Sequence, residues 1–472
     1  MAQAIEVDAA IVGTGQAAPA LAVALAKRGE RVALIEGALL GGSCVNVGCT
    51  PTKTLRKSAR VAHLARRAAE FGVRVGKIEV DFAAAMERMQ DFVDKARGDL
   101  EGWITHEPNI TLLRAWGSFT GRGPNGFELM AGEQPVRARR VYLNTGTRAF
   151  IPPVPGLADV PHLDNVSLLK LRTLPRHLLI MGGSYIGLEM GQIFRRLGSE
   201  VTVVESGPRV TPREDPEVSA CIASFLQAEG VAIIAGQAVT RVERRGEGVA
   251  LQVGERRIEG SHLLVATGRL PNTERLALDT VGVKTDNRGF VPTNGRLETN
   301  VAGIWALGDI NKRGAFTHTS YQDHEIVLAN HLAAVDGTHK GHRRSADERI
   351  MAYAMYTDPP LGRVGQSEGE ARASGKRILM ATFDMKNVSR AKEESETTGL
   401  IKLLVDADTE RLVGATVLGL NGDEIIQAIS NFMATGASWR VMKDALPIHP
   451  TVTEFLPTIL GRLKPLPELA SR

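Results

Sequence analysis

The chain opens with an apolar run, a glycine-rich turn, an alanine- and leucine-rich run and a second apolar run: "EVDAAIVG", "QAAPALAVALAKRG" and "RVALIE". The first and last read as buried strands and the middle one as a helix. The same order returns as "RHLLIMG", "SYIGLEMGQIFRRLG" and "EVTVVE". Two more apolar strands, in "VYLNTGTRAFIPPVPG" (141–156) and "HLLVATGRLPNT" (262–273), run into Thr-Gly and then a proline-bearing loop. A further strand in "GIWALGDIN" ends in Gly308-Asp309, where a carboxylate can accept from a polyol or cap a turn. From residue 349 the texture changes. "YAMYTDPPLGRVG" reads as a strand, "GLIKLLVDADTERLVGATVLG" as a hairpin, and "GDEIIQAISNFMATG" and "SWRVMKDAL" as helices. A long helix over 81–103 carries Phe82, Met86, Met89, Phe92/Val93, Ala96, Leu100 and Trp103 at helical spacing, a stripe suited to packing or subunit contact.

The turn after the first strand is Gly13-Thr14-Gly15-Gln16-Ala17-Ala18, the GxGxxA form of a dinucleotide fingerprint. Glycines there allow a tight turn and bring backbone N–H groups close to a pyrophosphate at a helix N-terminus. Glu36, 23 positions after Gly13, closes the next strand, where a carboxylate can accept from a ribose hydroxyl. Pro19 falls in the first turn of the helix, where little donor capacity is lost. In the second copy Gly182, Gly183 and Gly187 are in place, Ser184 stands at the middle glycine, and Glu205 again lies 23 positions on. One such match is weak evidence; two in strand–turn–helix context predict two nucleotide sites. The expected fold class is α/β, with two Rossmann-like dinucleotide-binding domains followed by a C-terminal α+β domain. Boundaries fall near 151–156, 270–275 and 338–348.

Length narrows the picture: 472 residues are too many for one core, so several domains are expected. A net charge of +4 over that length, with no basic block or interleaved aromatic stripe, does not suggest nucleic-acid binding. No apolar run reaches the roughly 18 residues a membrane helix needs. The acidic N-terminus is unlike a signal peptide, so a cytoplasmic location is expected. Three cysteines cannot make an extracellular disulfide framework.

Two of those cysteines, Cys44 and Cys49, stand in "GGSCVNVGCTPTK". Their gap suits zinc, but no Cys or His partner lies nearby to complete four ligands. Burial as small apolar residues is a better reading. The neighbours favour a redox pair instead. Thr50-Pro51 reads as an N-cap followed by proline at the first helical position, which sets Cys49 beside a helix N-terminus that favours thiolate. Lys53 adds a positive charge one turn along, and Cys44 lies only eight residues after Glu36, close to the first nucleotide. Residues five apart on a regular helix point about 140° from one another, so a bridge needs an irregular turn, which Gly48 permits.

With these motifs in their order, continued by "GGSYIGLE", "ATGR", "GD" and "HPTVTE", the chain resembles the flavoprotein disulfide reductases over essentially its whole length. That family includes dihydrolipoamide dehydrogenase, glutathione reductase and mercuric reductase. The resemblance implies FAD at the first unit, contacted by Gly13, Gly15, Ala18, Glu36, Gly42, Ser43 (in place of the usual threonine), Lys53, Gly117, Thr145, Gly146, Asp309 and Thr317. It implies NADH or NADPH at the second, contacted by Gly182, Gly187, Glu205 and Gly268. Residues 1–152 and 275–345 would form the FAD domain, 153–274 the nicotinamide-nucleotide domain and 346–472 the dimerisation domain. Tyr185 resembles the gating tyrosine that the nucleotide displaces, and Lys53 would pair with Glu189. Cys49 would be the inner thiolate beside the flavin and Cys44 the outer exchanger. His449, oriented by Glu454, resembles the acid–base pair contributed across a homodimer. Cys221 matches nothing in the pattern and reads as a structural helix residue.

The segments "GGSCVNVGC", "SRAKEESETTGLIKL" and "TDPPLGRVG" look most like the mercuric-reductase branch. Against mercury as substrate, no thiol follows Cys221, and His449 stands where those enzymes have tyrosine. Glu205 favours NADH by repelling a 2′-phosphate, although Arg209 and Arg213 lie close in sequence. The expected activity is an NADH-preferring reduction of a small-molecule disulfide. The alternatives are metal-ion or quinone reduction, dihydrolipoamide oxidation, or a non-catalytic flavin-bound scaffold.

Overall fold

The computed structural model describes residues 3–335 and 343–467. Part of the expected boundary stretch 338–348, and the last residues of the chain, lie outside the described residues. The chain divides into two compact units, one of 1–55, 83–151 and 268–349, the other of 56–82, 152–267 and 350–472.

In the first unit, strand β1 (Ile5–Val12) leads through a turn into helix α1 (Ala18–Ala26) and on to β2 (Val32–Ile35). Pro19 sits at the start of α1, as its fixed φ and missing donor require. Short helix α2 (Gly42–Val47), helix α3 (Cys49–Arg66), which continues into the second unit, and α4 (Phe82–Thr105) precede β3 (Ile110–Leu113), β4 (Gly117–Gly123), β5 (Gly126–Ala131) and β6 (Gln134–Leu143). The sheet order is β3-β2-β1-β6-β5-β4, and strand Ile304–Ala306 also pairs with β6. Strands β3, β2, β1, β6 and Ile304–Ala306 are parallel, with β4 and β5 added as antiparallel ribbons. β1 and β2 are buried on both faces, which is why they read as continuous apolar runs.

The second unit repeats the start of the first. Strand His177–Met181, helix Tyr185–Leu197 and strand Glu200–Glu205 sit in a parallel sheet with Val231–Ala235 and His262–Val265. A three-stranded antiparallel ribbon, 239–260, follows. The C-terminal part is a six-stranded antiparallel sheet packed against helix Gly422–Ala434 around Ile401, Leu403, Val417, Ile426 and Ile429.

Three local expectations need correction. "YAMYTDPPLGRVG" is two strands, Ala352–Met355 and Leu361–Gly365, paired antiparallel, because Pro359 and Pro360 interrupt the run. On α4 the apolar stripe holds for Phe82, Met86, Met89 and Val93, but Phe92 and Trp103 are exposed, and Ile104 is buried in place of Trp103. The helix after the cysteines begins at Cys49 rather than after Thr50: Thr52 N donates to Gly48 O at 3.1 Å, so Gly48 caps it and Pro51 falls third.

Buried charges brace the second unit. Asp358, 5% exposed, pairs with Arg60 and Arg196, while Arg196 also reaches Glu229 at 2.7 Å. Gln192 closes the set, donating to Asp358 O at 2.7 Å and accepting from Asp358 N at 2.8 Å. Lys402, inside the C-terminal sheet, is ringed by Asp215, Glu217 and Glu368. Burial alone would raise the Asp358 pKa; the two guanidinium groups outweigh it and hold the pKa at about 2. Its contribution to stability is therefore present above the ordinary carboxylate range and lost as pH falls toward about 2. We predict that Asp358→Asn, which removes the carboxylate the two arginines share and leaves Arg196 with Glu229 and Arg60 with Glu396, lowers the unfolding free energy by about 2–3 kcal/mol at neutral pH. Urea titrations should show the gap to wild type shrinking as pH falls from 3.8 toward about 2.

Candidate functional site

The two strand–turn–helix copies agree in atomic detail. Gly13 and Gly182 have φ of +92° and +110°, and each N–H donates to the last apolar residue of the neighbouring strand, Ile35 O at 2.8 Å and Val204 O at 2.9 Å. A Cβ at Gly13 would lie 2.5 Å from Asn144 O, and one at Gly182 2.4 Å from Ala266 O. Only glycine fits at either place. Glu36 Oε2 accepts from Thr14 N at 2.9 Å and Glu205 Oε2 from Gly183 N at 2.7 Å. Each second oxygen takes a backbone N–H two residues on, Ala38 at 2.8 Å and Gly207 at 2.7 Å. Gly187 packs so tightly on Gly182 O that a Cβ would lie 2.0 Å away; buried Ala18 is its counterpart in α1.

The copies differ at their middle position. A Cβ at Gly15 would meet Asn144 Oδ1 at 2.6 Å, whereas the residue equivalent to Asn144 is Ala266, and Ser184 is exposed. The smaller Ala266 explains the serine. Neither α1 nor the helix Tyr185–Leu197 receives a side-chain cap, so first-turn N–H groups are available to an anion at each N-terminus.

The cysteine segment is tied to the first of these turns. Gly41 N donates to Thr14 Oγ1 at 3.1 Å, and Gly42, at φ +60°, approaches Gly15 so closely that a Cβ would lie 3.0 Å from its Cα. Cys44 ends up on α2 and Cys49 as the first residue of α3, with Gly48 breaking the helical path between them. A Cβ at Gly48 would sit 2.8 Å from Ser43 O and 3.3 Å from Cys44 Cα. Both cysteines are in the thiol form and half-buried, and Thr317 Oγ1 lies 3.1 Å from Cys49 Sγ. The hydrogen bond between the two thiols, followed by burial, pushes the Cys44 pKa well above the usual thiol range. Cys49 sits at the positive end of α3. Cys44 is thus the thiol that keeps its proton and needs a base.

Around the same unit, Asp309 Oδ2 accepts from Thr147 Oγ1 at 3.0 Å, and burial raises the Asp309 pKa. Thr145 and Asn272 exchange hydrogen bonds of 2.9 and 2.8 Å beside Gly146, which has φ +64°. Gly117 starts β4 against Val12, Ser43 is exposed on α2, and Lys53 lies on α3. Gly268, expected at the nicotinamide nucleotide, belongs to the first unit, where its carbonyl accepts from Phe150 N.

In the second unit Glu189 accepts from Tyr356 N at 2.8 Å and Tyr185 is engaged by Glu214. His449 Nδ1 lies 2.7 Å from Glu454 Oε2, the histidine 73% exposed and the glutamate 12%. That bond leaves Nε2 as the free nitrogen. Leu446 and Ile448 beside it are 95% and 78% exposed, an apolar edge suited to a covering surface. Cys221 is half-buried in the helix Pro216–Ala228. Sequence reasoning did not single out Asn144, Glu214, Tyr353 or Arg363; no motif marks them, and their partners lie far away along the chain.

Residues 7–323 match the family described as pyridine nucleotide-disulphide oxidoreductase, and 351–459 match its dimerisation domain. A probable pyridine nucleotide-disulfide oxidoreductase, RclA of Escherichia coli, is 33% identical over 460 residues, spanning 97% of this chain and 99% of that one. A mercuric reductase of Staphylococcus aureus is 31% identical, over 95% of this chain and 81% of its own. The solved Cu(II) complex of the HOCl-induced flavoprotein disulfide reductase RclA from Escherichia coli superposes with a TM-score of 0.86 at 32% identity, over 97% of this chain and all of that one. Among the described residues no helix is long and apolar enough to cross a membrane.

The raised Cys44 pKa sets a test. In the reduced protein Cys44 should react with iodoacetamide more slowly at pH 7 than free cysteine, accelerating only above the ordinary thiol range. Cys49→Ala, which removes the hydrogen-bond partner, should shift that profile to lower pH, as mass spectrometry of the alkylated peptide would show.

Proposed function

The chain belongs to the pyridine nucleotide-disulphide oxidoreductases, and we propose that it is an FAD-dependent reductase that uses NADH in preference to NADPH and reduces a small-molecule disulfide through Cys44 and Cys49. The observation that carries this reading is the fastening of the cysteine segment to the first glycine turn, through Gly41–Thr14 and Gly42–Gly15. Gly13, Gly15, Ala18, Glu36, Gly42, Ser43, Lys53, Gly117, Thr145, Gly146, Asp309 and Thr317 would hold FAD. The uncapped first turn of α1 suits a pyrophosphate, and the Asp309 carboxylate suits a ligand hydroxyl. When bound, the flavin supplies two-electron chemistry between a nicotinamide and a disulfide. Residues 1–152 and 275–345 are assigned to the FAD domain, 153–274 to the nucleotide domain and 346–472 to a homodimer interface, in a cytoplasmic enzyme.

In the chain's own chemistry, His449 Nε2 takes the Cys44 proton, and the Cys44 thiolate attacks one sulfur of the substrate disulfide. A Cys44–substrate bond forms, the substrate S–S bond breaks, and the leaving thiolate takes the proton from His449. The Cys49 thiolate then attacks Cys44 Sγ, closing the Cys44–Cys49 disulfide and releasing the second thiolate, which is protonated by His449 recharged from water. Glu454 fixes the Nε2-free tautomer and stabilises the imidazolium. In the homodimer the histidine that serves each cysteine pair would be the partner's His449. Lys53 would supply positive charge near the flavin, positioned by Glu189.

The nucleotide preference rests on Glu205, whose carboxylate repels a 2′-phosphate. Arg209 is committed to its own loop, donating from Nη2 to the carbonyls of Pro212 and Glu214 at 3.3 and 3.4 Å. Glu205→Ser should raise the NADH KM by about 10-fold and narrow the preference over NADPH, read from steady-state kinetics with each nucleotide.

A second reading, reduction of a metal ion by the dithiol, is favoured by one observation: the Escherichia coli relative was solved as a Cu(II) complex. The two readings separate on a single panel of lipoamide, glutathione disulfide and Cu(II) with NADH. On the disulfide reading, Cys44→Ser and Cys49→Ser abolish disulfide turnover, and His449→Gln slows it about 10²–10³-fold. Disulfide reduction that survives the double cysteine variant would sink the relay, and turnover confined to Cu(II) would favour the second reading.

A further inference from the structure

Tyr185 begins the helix beside the second glycine turn, and its hydroxyl is engaged: it donates to Glu214 Oε1 at 2.6 Å. The same oxygen accepts from the Tyr353 hydroxyl at 2.8 Å, and the two rings lie 5.7 Å apart. The other oxygen, Oε2, is paired with Arg363 Nη1 at 2.9 Å. The Glu214 side chain is fully buried at 0% exposure, and Arg363 is 3% exposed. Tyr353 and Arg363 are direct partners on the antiparallel strands Ala352–Met355 and Leu361–Gly365, so one hairpin supplies both the second hydroxyl and the guanidinium. The carboxylate's loop is fixed to the glycine turn as well, since Glu214 N donates to Thr211 O and Thr211 N to Gly183 O. Burial, then the neighbouring carboxylate, drives the Tyr185 pKa far above its usual value, so the phenol remains a donor.

Resting on the reading of Tyr185 as the side chain that yields to the nicotinamide nucleotide, we propose that Glu214, Tyr353 and Arg363 form a latch on Tyr185 that sets nucleotide affinity. They act as positioning residues, through Tyr185 alone. Moving Tyr185 breaks one charge-assisted bond, yet Glu214 keeps Tyr353 and Arg363, so no buried carboxylate is stranded. Tyr353 eases the motion in two ways. It shares Oε1 and so weakens the Tyr185 bond, and it compensates the carboxylate once Tyr185 has left. Both effects have the same sign, so losing the Tyr353 hydroxyl must make nucleotide binding weaker.

The test measures the dissociation constant of NAD⁺ for the FAD-loaded protein by calorimetry. Tyr185→Phe should tighten binding about 10-fold, since no bond then has to break. Tyr353→Phe should weaken it about 5-fold in the wild-type background and leave it unchanged in the Tyr185→Phe background. An equal effect of Tyr353→Phe in both backgrounds would mean a merely structural role and overturn the latch. So would a silent Tyr353→Phe beside a tightened Tyr185→Phe, which leaves the gate standing without its latch. Unchanged affinity in both Tyr185→Phe and Tyr185→Ala would overturn the gate itself, and the latch with it.

Discussion

The structure depends on one steric constraint met twice: a strand must turn into a helix while passing close to the carbonyl of the strand beside it. At Gly13 and Gly182 that carbonyl lies where a Cβ would be, so the turn exists only with glycine at positive φ. Once the turn is fixed, the helix N-terminus points its free N–H groups to one place, and the glutamate closing the next strand meets the turn's backbone. The cysteine segment then follows, because its own glycines at 41 and 42 are shaped to lie against Gly15 and Thr14. The segment that carries Cys44 and Cys49 is therefore positioned by a packing limit about thirty residues upstream together with its own glycines at 41 and 42.

This order of dependence explains what was readable from sequence. A strand–turn–helix unit is specified locally, by alternation, helical spacing and obligatory glycines, so both units were legible as patterns. The Cys44–Cys49 break was legible for the same reason, since a five-residue offset on one helix cannot bring two thiols together without a Gly48. The helix start was misread by two residues because Thr50-Pro51 imitates a cap; the carbonyl that accepts the first helical bond belongs to Gly48, and glycine carries no side-chain signal there. Trp103 was misplaced because near the C-terminal end of α4 the apolar spacing fits either Trp103 or Ile104, and packing on the sheet chooses the latter.

What the sequence withheld is long-range and polar. Glu214 looks like one residue of a charged turn, Tyr353 and Arg363 like ordinary strand residues, and Asp358 like part of a proline-rich bend. Their meaning appears only when the topology brings together positions about 140–170 residues apart. Such pairs have no period and no fixed spacing, so no reading of windows finds them. Even Ser184, a departure from the glycine pattern, became intelligible only through Ala266, a residue remote in sequence but adjacent in the sheet.

The two polar sites also handle charge in opposite ways, and this links geometry to chemistry. Around Asp358 and Glu214 the carboxylates are buried with several fixed donors each, and their role is to hold other groups in place. At the cysteines the pairing is between two equivalent groups, one of which must hold the proton the other lacks. An asymmetry is then unavoidable. The helix start favours charge on Cys49, which leaves Cys44 protonated and dependent on an outside base. On the proposed reading His449 would meet that need, being exposed while its orienting glutamate is not: the imidazole is free to reach another surface, and the tautomer it presents there is already fixed.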